Sequence, residues 1–188
     1  MTARAAKYVL LTCIVTGVMI LDQWTKATVA QRMELHESIP VIDHLFNLTY
    51  VRNPGAAFGF LADRGSHLRF VFFAVTSTVA LALLFYFFVT SRTGDRIAQA
   101  GFALVLGGAV GNLFDRMRFG AVVDFLDFYL GQYHWPAFNI ADSAITVGIG
   151  LLILHGFKGR GPACRPPAGR AGSGGSSGDV ARETSSAG

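Results

Sequence analysis

Asp124 and Asp142 are the residues hardest to explain as structure alone. Val122-Val123-Asp124-Phe125-Leu126 sets an acid among apolar neighbours, with no basic residue within five positions. Phe138-Asn139-Ile140-Ala141-Asp142-Ser143 sets a second acid one turn into a helical pattern, with Asn139 three residues before it on the same face. Asn139 reads as an N-cap and Asp142 as an acid favoured by the positive end of the helix dipole. Both readings are compatible with catalysis, because two acids at one partly dry level can share a proton, as aspartic proteolysis requires. Neighbouring acids have simpler readings. Asp22 precedes Lys26 by four residues, so an i,i+4 ion pair suffices for it. Asp115 stands beside Arg116 and reads as a helix-end ion pair, while Asp127 reads as a solvated or interfacial charge.

Other chemistries find no anchor. There is no HExxH for a zinc protease and no serine in a G-x-S-x-G context. His36, His44, His67 and His134 lack paired ligand spacing and read as surface or interfacial residues. Cys13 lies in an apolar run, where it is expected to be buried and far from the acids. Gly101, Gly107, Gly108 and Gly111 are spaced for close helix packing; no strand precedes them and no Lys-Ser/Thr follows, so they do not make a phosphate loop. No metal and no organic cofactor is expected.

The elements that must position these acids follow from composition. The chain has 188 residues, 52% of them hydrophobic and only 15% charged, with mean hydropathy +0.43. A typical soluble domain carries roughly 25% charged residues, so a small soluble enzyme, a disordered protein and a nucleic-acid binder are all disfavoured. The formal charge of +4 does not form one basic patch: five of the 16 Lys and Arg fall in the last 31 residues. Two cysteines exclude a disulfide framework.

Four apolar runs read as transmembrane helices over about 8–29, 69–90, 97–115 and 138–157. The first lacks a small-x-small cleavage site and is retained as a span rather than a signal peptide. The fold class is thus an α-helical polytopic membrane protein, with extracytoplasmic segments at about 30–68 and 116–137. In the first segment Leu45 to Val51 and the Asn53-Pro54-Gly55 turn point to a small β-element. In the second, Gly120 to Leu130 is too short to span and is expected to dip into or rest on the interface as a loop or helix. Residues 1–157 form the membrane domain, and 158–188, rich in Gly, Ser, Ala, Pro and Arg, read as a disordered cytoplasmic tail. Nine Lys and Arg lie on the side of the termini against seven on the other, which predicts cytoplasmic termini.

Helix rise turns positions into depths. Lys7 to Asp22 is about 22 Å, Arg96 to Asp115 about 28 Å and Phe157 to Asp142 about 22 Å at 1.5 Å per residue. Asp22, Asp115 and Asp142 therefore converge near the outer interface, with Asn53, Asn112, Arg116, Asp124 and Asn139 at the same level. Acids at such depth are functional candidates by default.

Five segments occur in order: Asp22-Gln23-Trp24-Thr25-Lys26, Asn53-Pro54-Gly55-Ala56-Ala57-Phe58-Gly59, Gly107-Gly108-Ala109-Val110-Gly111-Asn112-Leu113-Phe114-Asp115-Arg116, Val122-Val123-Asp124-Phe125 and Phe138-Asn139-Ile140-Ala141-Asp142-Ser143. Together, over residues 7–157, they resemble the bacterial lipoprotein signal peptidase (signal peptidase II) family. The resemblance implies an aspartic endopeptidase of the cell inner membrane that cuts diacylglyceryl-modified prolipoproteins just before the lipidated cysteine. It places the catalytic pair on Asp124 and Asp142 and the substrate-binding or dyad-supporting residues on Asp22, Asn53, Asn112, Asp115, Arg116 and Asn139. It implies membrane lipid as a partner, no nucleic acid, no cofactor, and a site facing the periplasm; the chain is expected to be a monomer. Two rivals differ in class. A transporter or proton relay would need polar residues through both halves of the bundle, and a non-catalytic lipoprotein-handling factor leaves the two acids without a reason.

Overall fold

The computed structural model of the chain describes residues 2–55 and 66–158. The Ala56-Ala57-Phe58-Gly59 part of the second motif, and all but the first residue of the expected tail, lie outside the described residues.

Four long helices dominate: α1 (Ala3–Arg32), α2 (Ser66–Thr90), α3 (Arg96–Phe119) and α4 (Ile140–Lys158). All four are long and apolar enough to cross a membrane. The ends have local causes. Thr2 accepts from the Ala5 N–H at 3.2 Å at the start of α1, and Asp95 accepts from the Ala98 N–H at 3.0 Å at the start of α3. Gly120 ends α3 in the left-handed region at φ 69°, its N–H returning to the Arg116 carbonyl at 3.0 Å.

The helix α3 is the buried one, packed against α1, α2 and α4. Its glycines permit close packing: a Cβ at Gly108 would run into the Ala141 carbonyl oxygen of α4, and one at Gly111 would lie 2.8 Å from Asp22 Oδ2. A side chain there would force α1 and α3 apart at the level of the acids. By contrast α2 exposes Val75, Val79, Leu83, Tyr86 and Phe87, as a lipid-facing helix must. Cys13 is also exposed on α1, contrary to its expected burial, because an apolar run facing lipid need not be covered by protein.

Four antiparallel strands, β1 (Ser38–Ile42), β2 (Phe46–Asn53), β3 (Val122–Leu130) and β4 (Tyr133–His134), form one sheet in chain order. The expected β-element at Leu45–Val51 is therefore half of a larger sheet. Its other half comes from β3 and β4, within the segment 116–137 whose Gly120–Leu130 stretch is expected from sequence as an interfacial loop or helix. The run Val122-Val123-Asp124-Phe125 is continuously buried, so it shows no strand alternation in sequence. It pairs with β2, setting Val51 opposite Asp124 and Asn53 opposite Val122, which satisfies its backbone groups. Val29 of α1 and Met33, which follows its last residue, pack with Tyr50, Val123 and Phe125 into the core that fixes the sheet on the bundle. Side chains alternate across a strand, so with Val123 and Phe125 in that core, Asp124 turns to the opposite face.

Candidate active site

Six side chains from four elements meet where the sheet sits on the helices. Asp124 of β3 is buried; its Oδ1 accepts from Asn139 Nδ2 at 2.7 Å and its Oδ2 from Asn53 Nδ2 at 3.1 Å. Asp142 of α4 is half-buried, and its Oδ1 accepts from Asn112 Nδ2 at 2.7 Å. Asn139 joins the two acids. Its amide reaches Asp124, its Oδ1 accepts from the Asp142 N–H at 3.0 Å, and its own N–H points at Asp142 Oδ2 at 3.4 Å. This reciprocal pairing of the residue before a helix with the third residue inside it is a capping box. The expected N-cap is thus also the bridge of the site.

Burial dominates the electrostatics of Asp124. It pushes the carboxyl up from 3.8 to about 6, the charge of Asp142 pushes the same way, and the hydrogen bonds from Asn53 and Asn139 pull it down. Arg116, on the last turn of α3, lies within electrostatic reach of Asp142, Asp124 and Asp115. Its guanidinium stands over the Phe73 ring at 5.3 Å, and its Nε is buried with no hydrogen-bond partner among the described residues.

A second network lies beneath. The Lys26 ammonium touches Asp22 Oδ2 at 2.8 Å, Asp115 Oδ2 at 2.8 Å and Asn112 Oδ1 at 3.0 Å. Gln23 Nε2 donates to Asp115 Oδ1 at 2.8 Å, and the Ala141 N–H donates to Asp22 Oδ1 at 2.9 Å. The expected Asp22–Lys26 pair is present, but it is one arm of a fork. Asp115 does not pair with Arg116; it turns inward to Lys26, because Arg116, the next residue, points about 100° away around the helix. Lys26 was legible only as a local partner of Asp22. Its depth, equal to that of Asp115, is the signal that could have marked it as a hub. Through Asn112, whose carbonyl takes the lysine and whose amide holds Asp142, this hub reaches the Asp124–Asp142 site.

Asp127 is buried rather than solvated. It accepts from Asn47 Nδ2 at 3.1 Å and faces His134 Nδ1 at 3.0 Å within the sheet. His134 is exposed, as expected, but is tied to that acid. A cavity of about 670 Å³ opens beside Asp142, walled by Phe128, Trp135, Phe138 and Val147. Along α3 from Gln99 to Asn112, about 20 Å of helix, every intervening buried residue is apolar: Gly101, Ala103, Val105, Leu106, Gly107, Gly108 and Gly111. That stretch offers no polar steps for a transmembrane relay.

A family profile described as Signal peptidase (SPase) II matches residues 14–158. The chain is 53% identical over 137 residues to the lipoprotein signal peptidase of Syntrophus aciditrophicus, covering 73% of this chain and 85% of that protein. It is 55% identical over 145 residues to the lipoprotein signal peptidase of Desulforapulum autotrophicum, covering 76% and 89%. A bacterial membrane enzyme structure solved by the in meso method at 1.9 Å resolution superposes with a TM-score of 0.71 at 38% identity, covering 79% of this chain and 92% of that one.

Proposed function

The chain belongs to the signal peptidase II family, and from that premise we propose that Asp124 and Asp142 are the catalytic pair of a multi-pass bacterial membrane enzyme that removes signal peptides from prolipoproteins. The observation that carries the assignment is Asn139, which hydrogen-bonds to both acids and holds them in one site. The reaction needs one ionised and one protonated carboxyl. The ionised one takes a proton from water, whose oxygen attacks the scissile carbonyl carbon; the protonated one donates to the carbonyl oxygen as it gains charge. When the tetrahedral centre collapses, the C–N bond breaks and a carboxyl proton goes to the leaving amine. A group near 6, as Asp124 is, exchanges protons readily close to neutral pH.

Asn53 and Asn139 orient Asp124, and Asn112 orients Asp142. Lys26 with Asp22 and Asp115 fixes Asn112 from below. Arg116 adds positive charge at the dyad, where it offsets the oxyanion that forms. The substrate of this reading is a prolipoprotein carrying diacylglycerol on its cysteine, cut just before that residue. The aromatic-walled cavity beside Asp142 is the place for its apolar portion. Charge bias supports cytoplasmic termini and a site on the periplasmic face, and the enzyme acts as a monomer.

The test is an assay of the purified protein on a diacylglyceryl-modified prolipoprotein. Intact substrate under conditions where a control peptidase cuts it would overturn the reading. For orientation, a cysteine at Gly120 should react with an impermeant thiol reagent from outside the cell and one at Gly94 should not, in a background lacking Cys13 and Cys164. The reverse labelling would place the site on the other face.

A further inference from the structure

A second cavity, of about 380 Å³, contains neither dyad residue. It is a groove between the later half of α1, the last turns of α3 and the sheet. The pair Lys26 and Asp115 forms its inner wall. Its apolar length comes from Met19, Ala27 and Ala30 of α1 and Phe114 and Phe119 of α3. Ala27 and Ala30 are exposed neighbours one turn apart, and the absence of a large side chain at either position is what hollows this face. From Met19 to Ala30 the helix rises about 16 Å, so the groove runs from the sheet down into the depth of the bilayer core.

Arg52 and Arg118 also line the groove, at its sheet end. Both are exposed, and both converge on one ring: the guanidinium of Arg118 stands 4.9 Å and that of Arg52 5.9 Å from the Phe119 centroid. Arg52 is further held by its Nε donating to the Tyr50 hydroxyl at 2.9 Å. Neither arginine is in an ion pair among the described residues. The one acid among the described residues lining the groove, Asp115, is buried and already engaged by Lys26 and Gln23. Two aromatic-braced cations without a carboxylate partner among the described residues, above an apolar trough that faces lipid, complement an anionic head with an acyl chain.

We propose that this groove binds an anionic glycerophospholipid of the sheet-side leaflet, with Arg52 and Arg118 on the phosphate and headgroup oxygens and one acyl chain against Ala27, Ala30 and Phe114. A zwitterionic lipid carries an ammonium for which the groove has no free carboxylate among the described residues.

The test uses the full chain, purified and delipidated in detergent, titrated with phosphatidylglycerol or phosphatidylcholine of identical acyl chains and read by native mass spectrometry. Phosphatidylglycerol should bind roughly thirtyfold tighter, the preference expected of two arginines at a lipid surface. The Arg52→Gln/Arg118→Gln variant should lose that preference. Ala27→Leu/Ala30→Leu, which fills the trough and keeps both arginines, should weaken phosphatidylglycerol binding. Millimolar sodium phosphate should not displace the lipid. Equal binding of the two lipids, or an undiminished preference without the arginines, would overturn the proposal. Full binding by the filled-groove variant, or displacement by phosphate alone, would show a bare anion contact and overturn it as well.

Discussion

Helix α1 buries a lysine near each end, and the two solve the same problem differently. Lys7 and Lys26 are 2% and 3% exposed. Lys7 is covered but peripheral, with few atoms around it: its ammonium caps the end of α2, donating to the Val89 and Ser91 carbonyls at 3.0 and 2.7 Å, and lies 4.8 Å from the Phe88 centroid. Lys26 is central and meets two carboxylates and an amide. The partners of Lys7 are main-chain dipoles that any sequence would supply, so it ties one helix end to another. The partners of Lys26 are side chains, and one of them holds Asp142. A buried cation is therefore not in itself a mark of function; what its partners touch next decides.

The largest effect is expected at the dyad. Asp124→Asn and Asp142→Asn should each lower prolipoprotein cleavage by at least about a thousandfold, the upper range for losing a general acid or base, while both variants still insert in the membrane. Near-wild-type cleavage by either variant, read as precursor-to-mature conversion on gels, would remove that residue from the pair.

The two lysines come next. Lys26→Met leaves two buried acids facing each other and should cost about 3–5 kcal/mol of stability, with a fall in kcat measured at a temperature where the variant stays folded. Lys7→Met should cost roughly 1 kcal/mol, the scale of a helix-end charge, and leave kcat unchanged. If the two variants changed kcat equally, the contrast between the lysines would collapse.

A smaller effect concerns pH. The singly protonated dyad is held below the Asp124 value of about 6 and lost above it, so kcat/KM should fall as pH rises through about 6. Asn53 donates to Asp124 and so favours its ionised form; Asn53→Ala should move that limb to higher pH. The same shift acts on stability. Because the folded value lies above 3.8, burial of Asp124 costs progressively more as pH rises from 3.8 through about 6 and the full cost remains above it. Asp124→Asn should therefore raise the Tm relative to the parent more at pH 8 than at pH 4.

No effect is expected from deleting 164–188 with Lys158 and Arg160 retained. Insertion and cleavage should both persist, and loss of cleavage by a correctly inserted chain would give the tail a role.

Depth was legible because helix rise is a constant: counting residues from the helix ends set Asp22, Asp115 and Asp142 near one level. The cap at Asn139 was legible because its partner lies three residues away. The second arm of Lys26 was not, since Asp115 and Asn112 are distant in sequence and only packing selects them. Strand β3 was hidden for the opposite reason to most strands. Both of its faces are covered around Asp124, so the alternation that identifies a half-exposed strand is missing. The burial of Asp127 depends on Asn47 across the β2–β3 register, and no local spacing encodes that.

The bond from the Ala141 N–H to Asp22 Oδ1 joins residues 119 apart, at the two ends of the membrane domain. During synthesis α1 emerges first and α4 last, so Asp22 has no such partner until the final helix arrives. The same arrival brings Asn139 and Asp142. Before that arrival Asp22 and Asp115 already have Lys26 and Asp124 already has Asn53, but the Asn139 bridge between Asp124 and Asp142 does not exist, so the proposed catalytic pair is assembled only when α4 packs.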